Sequence, residues 1–208
     1  MSVAYGKRQV LSGIRLSLPQ GIFVLQGANG TGKSTLLRVL AGAQSADDGE
    51  VFIDGLSMIR TPDAARRRLS YVPDESSVYP FMTGTELLRF VASAKQAALD
   101  EAVVGLVGDF DLAPQVDVRF DAMSLGTQKK MLLCAAWIGT PRVIFMDEPS
   151  NGLDSRARER LADQIRSWRN RGTVLFTTHD CDLVAATDAS VLVMEELLRA
   201  GCSPAVPS

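Results

Sequence analysis

The sequence predicts an α/β domain: a mostly parallel sheet covered by helices, with a helical segment inserted into it. Three observations carry that expectation. Ile22-Phe23-Val24-Leu25, Val143-Ile144-Phe145-Met146 and Thr173-Val174-Leu175-Phe176 are short, nearly unbroken apolar runs of strand length, as expected of strands buried on both faces. Segments of helical period alternate with them, the order that builds a parallel sheet. The stretch from about Ser76 to Trp137 has several helical patterns and little strand character.

Taken in order, Met1 to Arg8 lacks the apolar centre of a signal peptide, so no leader is expected. The run Ile22 to Leu25 ends at Gln26-Gly27, a strand meeting a glycine-rich turn. Leu36, Leu37, Val39 and Leu40 fall at helical spacing within 34–43. Asp47-Asp48-Gly49 reads as a turn before a strand over 50–54 that Gly55 closes. Ala157, Leu161, Ile165 and Trp168 form one stripe of an amphipathic helix over 155–171. The expected organisation is a single domain over 1–208. Residues 1–75 and 138–200 form the α/β core, 76–137 the helical sub-domain and 201–208 a flexible tail.

Composition narrows the function. The chain has 208 residues, 46% hydrophobic and 22% charged, ordinary values for a globular domain with a sizeable core. Its net charge of −2, with 22 basic residues spread along the chain, argues against a nucleic-acid partner held by a basic face. The longest apolar stretches, such as Leu132 to Ile138, fall far short of the ~20 residues that cross a bilayer, so no membrane span is expected. Cys134, Cys181 and Cys202 show no CxxC spacing and read as reduced thiols of a cytoplasmic protein. The Arg66-Arg67-Arg68 run reads as a solvated helix face, as do Arg156, Arg158 and Arg160 around Glu159.

Two motifs carry chemistry. Gly27-Ala28-Asn29-Gly30-Thr31-Gly32-Lys33-Ser34 fits G-x-x-x-x-G-K-[ST], the P-loop, between a strand and a helix. Its glycines let backbone N–H groups turn inward around phosphates, where the helix N-terminus adds a positive dipole. Lys33 would reach the β/γ-phosphates and the Ser34 hydroxyl would ligate Mg²⁺, with Thr35 the next residue of the same cradle. Val143 to Met146 then runs into Asp147-Glu148, the Walker B pattern. Alone, such an acidic pair also fits a solvated strand end. Beside a P-loop it fits Asp147 as a metal ligand and Glu148 as the base that orients and deprotonates water.

Further residues resemble one family, the ATP-binding cassette (ABC) ATPases, over nearly the whole chain from Tyr5 to about Gly201. Met123-Ser124-Leu125-Gly126-Thr127 stands where the family has its LSGGQ signature, and Ser150-Asn151-Gly152-Leu153-Asp154 looks like its D-loop. Phe176-Thr177-Thr178-His179-Asp180 looks like its switch segment, with the only histidine of the chain. The resemblance implies a P-loop NTPase core with a small antiparallel N-terminal part, an ATPase activity, and ATP and Mg²⁺ as cofactors. It implies a head-to-tail dimer in which Ser124 and the Gly126 N–H touch the γ-phosphate held by the opposite chain. By the same resemblance His179 would hold that phosphate, Glu148 and the water, Asp154 would link the two sites, and Tyr5 would stack on adenine.

Three departures stand out. Leu125 and Thr127 replace a glycine and the glutamine of the signature. Asp74, in Ser70-Tyr71-Val72-Pro73-Asp74-Glu75, stands at the Q-loop glutamine and remains a hard oxygen ligand for Mg²⁺, with added charge and shorter reach. Only four residues precede Tyr5, so the first edge strand is expected to be largely missing and Tyr5 loosely anchored.

The resemblance implies a motor subunit, cytoplasmic and peripheral on the inner face of the cell membrane. Its partners would be membrane permease subunits and a second ATPase subunit, and its ATP-driven closure would power export. The aromatic segment Tyr79-Pro80-Phe81-Met82 would grip the permease, or else belong to the core of the helical sub-domain. The alternative is a soluble, non-transport ABC ATPase, for example of the iron–sulfur assembly type. A GTPase would need an N-K-x-D-like guanine reader, which is not found, and a small kinase would need neither signature nor switch histidine.

Overall fold

The computed structural model describes residues 1–6, 8–76 and 78–201, so the expected tail, beyond Gly201, lies outside the described residues. In chain order, β1 (Val3–Tyr5) pairs antiparallel with β2 (Arg8–Leu11). β3 (Gly21–Gln26) runs into α1 (Lys33–Leu40), whose N-cap Gly32 has φ 100°, a left-handed conformation open to glycine. β4 (Phe52–Ile53) and β5 (Leu56–Ser57) form a hairpin whose turn, Asp54-Gly55, has φ 51° and 76°, positive at both positions as a tight hairpin turn requires. The strand expected over 50–54 is thus shorter and separate from the main sheet. α2 (Pro62–Arg68), with proline in its first turn, leads to β6 (Leu69–Val72).

Helices alone follow between Gly84 and Ala136 among the described residues: α3 (Gly84–Lys95), α4 (Glu101–Asp109), two 3₁₀ turns and α5 (Leu125–Ala136). Their starts are chemically marked: Thr83 and Glu86 form a capping box, and Asp100 and Ser124 cap with their side chains. β7 (Val143–Met146), α6 (Ser155–Ser167), β8 (Thr173–Thr177), α7 (Cys181–Thr187), β9 (Ser190–Val193) and α8 (Met194–Gly201) complete the chain. The expected helices over 34–43 and 155–171 stop earlier, the second at its C-cap Trp168, where the chain turns toward β8.

The five-stranded sheet has the order β6-β7-β8-β3-β9 with every pairing parallel. Successive residues of each strand face opposite ways. Ile22, Val24, Ile144, Met146, Val174 and Phe176 pack against α3, α4, α5, α6 and α7. Leu25, Phe145 and Leu175 pack against α1, α2 and α8. Both faces are therefore covered, which explains the unbroken apolar runs. Because all strands run the same way, their C-terminal ends share one edge, bringing together the Gly27 loop, Asp74, Asp147 and His179.

No helix among the described residues is long and apolar enough to cross a membrane. The N-terminal part corrects one expectation. Val3 to Tyr5 do form an edge pair with β2, and the Tyr5 hydroxyl donates to Gln44 Oε1 at 2.7 Å. Three residues suffice because the Ala4 N–H also donates to Asp47 Oδ2 at 2.7 Å.

Candidate functional site

The glycine-rich loop is shaped by its own backbone. Gly30 and Gly32 lie at φ 78° and 100°, and a Cβ on Gly32 would meet Val10 Cγ1 at 2.9 Å. Thr31 Oγ1 donates to Ala28 O at 2.7 Å, and Lys33 Nζ donates to Gly27 O at 2.8 Å and Ala28 O at 3.2 Å. Lys33 is thus held across its own loop by neutral carbonyls, with no carboxylate within 4.0 Å of its ammonium among the described residues. Glu195, at the start of α8, accepts from the Ala28 N–H at 3.0 Å, and that bond holds its carboxyl below the usual range.

At the tip of β7, Asp147 is buried and its Oδ1 accepts from Thr177 Oγ1 at 2.6 Å. The same hydroxyl accepts from the Glu148 N–H at 3.0 Å, so one fully buried threonine on β8 positions both acids. Glu148 stands at φ 45°, a left-handed conformation costing about 1–2 kcal/mol for a residue with a side chain. Its Oε2 accepts from the His179 N–H at 3.2 Å, and its Oε1 lies 3.4 Å from His179 Nε2. Burial pushes the Glu148 carboxyl up, while the His179 ring and N–H pull it back down.

Asp74 reaches the same cleft from the end of β6. Its Oδ1 accepts from Asn151 Nδ2 at 3.1 Å and lies 3.7 Å from Lys129 Nζ. Lys129, on α5 and only 5% exposed, donates to Pro73 O at 2.9 Å and Asp74 O at 2.6 Å. Burial holds its ammonium below the usual lysine range. These bonds tie the signature helix to the loop bearing Asp74.

Tyr5, Asn29, Gly30, Gly32, Lys33, Ser34, Thr35, Asp74, Asp147, Glu148 and His179 line one cleft of about 680 Å³, within the size range of small-molecule sites. The arrangement suits a nucleotide triphosphate: phosphate donors on one wall, acids on the other, an aromatic ring at the rim. Among the described residues no three His, Cys, Asp or Glu side chains are placed to hold a metal by themselves. The cleft does offer the Ser34 hydroxyl and the Asp147 and Asp74 carboxylates, donors of the kind Mg²⁺ takes beside substrate oxygens.

Ser124, Gly126 and Asp154 do not line this cleft. Ser124 caps α5, accepting from the Thr127 N–H at 3.2 Å, beside Leu125, which is 80% exposed. Gly126 lies so close to the D-loop that a Cβ there would meet Gly152 O at 2.6 Å. Asp154 caps α6 through Ala157 N–H at 2.8 Å and accepts from Lys130 Nζ at 2.7 Å, a bond that holds its carboxyl below the usual range. Thr177, Lys129, Asn151 and Glu195 take part without having been singled out by motif. Thr177 lies inside the switch-like segment and Asn151 inside the D-loop-like segment, whereas Lys129 and Glu195 carry no local signal.

A family model described as ABC transporter matches residues 11–151, spanning the glycine-rich loop, the signature and the β7 acids. The chain belongs to the ABC transporter family. This ABC domain is 33% identical over 198 residues to the Nod factor export ATP-binding protein I of Paraburkholderia xenovorans (strain LB400), covering 93% of this chain and 65% of that protein. It is 31% identical over 198 residues to the Fe(3+) ions import ATP-binding protein FbpC of Escherichia coli (strain K12), covering 92% of this chain and 57% of that one. The chain therefore spans between half and two thirds of the length of these curated relatives. A solved ATP-binding subunit of an ABC transporter superposes with a TM-score of 0.82 at 27% identity, covering 92% of this chain and 82% of that one. The ABC chain described here accordingly carries an ATP-binding cassette ATPase domain with the P-loop fold.

Proposed function

We propose that this chain is the ATP-binding and ATP-hydrolysing motor subunit of an ABC transporter that drives export through a separate membrane permease. The observation that carries the reading is the single cleft in which Lys33, Ser34, Asp147, Glu148 and His179 converge. In it, phosphate backbone donors and Lys33 hold the triphosphate. Ser34, Asp147 and the Asp74 carboxylate would hold Mg²⁺, which would supply charge neutralisation on the phosphates. Glu148 accepts a proton from the attacking water, and His179 steadies Glu148 and the γ-phosphate.

Charge on the γ-phosphate is met in part from a second copy or a related subunit. Ser124 and the Gly126 N–H stand at the start of α5, outside their own cleft, where a helix N-terminus favours an anion brought by a partner. Asp154, capping α6 and paired to Lys130, holds the D-loop beside that signature. Closure of the pair on ATP and release on hydrolysis form a ligand-driven population shift.

The permease contact is proposed at Tyr79 and Phe81, whose rings stack at 5.4 Å while 64% and 62% exposed. Met82 is half-buried and packs on the core, so it belongs to the base of that surface. Exposed stacked aromatics suit a protein socket. The likeness to a Nod factor export protein and the Ser124-Leu125-Gly126-Thr127 signature support export. The location we propose is cytoplasmic, peripheral on the inner face of the membrane.

The test is to purify the tagged chain from detergent-solubilised membranes and identify its companions. A companion with several apolar spans of ~20 residues is expected, and its loss on Tyr79→Ser/Phe81→Ser supports the socket. A soluble companion, with the chain absent from membranes, would replace this reading by a soluble, non-transport ABC ATPase. Uptake of cargo into inside-out vesicles on adding ATP is the expected sign of export; release would reverse the direction.

A further inference from the structure

The edge of the sheet opposite the nucleotide carries a row of cations. Arg68 precedes β6, Arg142 precedes β7, and Arg171 stands two residues before β8. Those strands are neighbours in the sheet, and backbone bonds align their starts: Arg142 N–H donates to Arg68 O at 2.7 Å and Thr173 N–H to Arg142 O at 2.8 Å. With ~4.8 Å between strands, the row is about 10 Å long. Arg67 and Lys95 extend it into a cleft of about 670 Å³ whose lining holds no carboxylate.

The charges are poorly compensated. Arg68 pairs with Asp54 at 3.3 Å. Among the described residues no other carboxylate lies within 4.0 Å of Arg67, Arg68, Lys95, Arg142 or Arg171. Neutral groups hold them instead. Arg142 Nη1 donates to Arg171 O at 3.3 Å, and the Arg171 guanidinium lies 5.5 Å from the centre of the Trp168 ring. Lys95 Nζ, largely buried, donates to Ile138 O at 3.0 Å and to Ser70 Oγ, and burial without a counter-ion pulls its ammonium down to about 8. Arg67, read from sequence as part of a solvated face, is half-buried in this cleft.

We propose that this cleft binds a multivalent phosphate-bearing anion, at a site separate from the nucleotide cleft. Five cations gathered around one carboxylate, Asp54, on a chain of net charge −2 form a local positive field, which an anion relieves. Arginines match phosphate oxygens in a bidentate manner, and a row about 10 Å long offers more than one such contact to a linked chain of phosphates or a row of headgroups.

The probe is tripolyphosphate, titrated calorimetrically at neutral pH and about 0.15 M salt, where exposed charges beyond about 8 Å are screened. The Lys33→Ala chain is used so that the nucleotide loop does not compete. Saturable binding is expected, weakened about tenfold or more by Arg142→Gln/Arg171→Gln, each tenfold being about 1.4 kcal/mol. Arg67→Gln alone, which breaks no ion pair, should weaken it several-fold and serves if the double variant is unstable. Flotation with phosphatidylcholine vesicles containing phosphatidylglycerol forms the second arm. Arginine-dependent flotation that tripolyphosphate displaces assigns the anion to a lipid headgroup; tripolyphosphate binding without flotation assigns it to a soluble phosphate. Absence of both, or binding indifferent to the arginine substitutions, overturns the proposal.

Discussion

Replacing Thr177 by valine removes one hydroxyl and leaves the shape of the side chain nearly unchanged. Thr177 is fully buried in β8, and its hydroxyl donates to Asp147 Oδ1 at 2.6 Å while accepting from the Glu148 N–H at 3.0 Å. A hydrogen bond to a charged group is worth about 1.5–3 kcal/mol, and an orphaned buried N–H costs about 1–3 kcal/mol. The two losses together come to about 2.5–6 kcal/mol. At ~2–4 °C per kcal/mol for a chain of this size, Thr177→Val should lower the melting temperature by about 5–24 °C. Turnover should fall further than folding alone explains, because both acids lose their alignment, and misplacement near 1 Å can cost ~100-fold. Scanning calorimetry and a steady-state phosphate-release assay read the two effects, with Thr177→Ser as the control that keeps the hydroxyl. A Thr177→Val chain that melts and turns over like the wild type would refute the assignment of this threonine as the positioner of both acids.

Three further outcomes follow from the same geometry. Gly126→Ala places a Cβ 2.6 Å from Gly152 O, so the signature helix must move off the D-loop; a loss of about 1–3 kcal/mol in denaturant unfolding is expected, and no loss would show the two loops to be loosely packed. The His179 ring helps hold the Glu148 carboxyl down against burial. His179→Ala should therefore shift the acidic limb of the residual rate profile to higher pH, since only ionised Glu148 serves as base, and an unmoved limb would sever that link. Lys95 has a folded pKa lowered from 10.5 to about 8, so the folded state binds fewer protons between these values. Stability from this residue is present above 10.5 and lost as pH falls through 8, a span worth up to about 3 kcal/mol. Lys95→Met should flatten that slope in melting curves, and an identical slope would place its origin elsewhere.

Much of this was legible before any coordinates because the signals are local. The glycine-rich loop, the acidic end of β7 and the unbroken apolar strands each announce themselves within ten residues. What was not legible depends on partners far apart in sequence. Thr177 meets Asp147 from the neighbouring strand, Lys129 meets Asp74 from another layer, and Glu195 reaches Ala28 from the far end of the chain. No spacing rule announces such bonds, because the sheet order that creates them is itself non-local. β1 and β5 are understated, and β4 overstated, in the sequence reading for a different reason: strands of two or three residues carry too few side chains for a period to show. Asp154 and Ser124 show a third case, in which a residue expected to face a partner also caps a helix within its own chain.

The central claim is that Glu148 is the base of an ATP-driven motor, and Glu148→Gln tests it most directly. Glutamine keeps the size and the capacity to accept from the His179 N–H but cannot take a proton from water. This variant should bind ATP with Mg²⁺ as tightly as the wild type and lose turnover by about 100-fold or more. Hydrolysis at the wild-type rate would contradict it and move the base to another residue of the cleft.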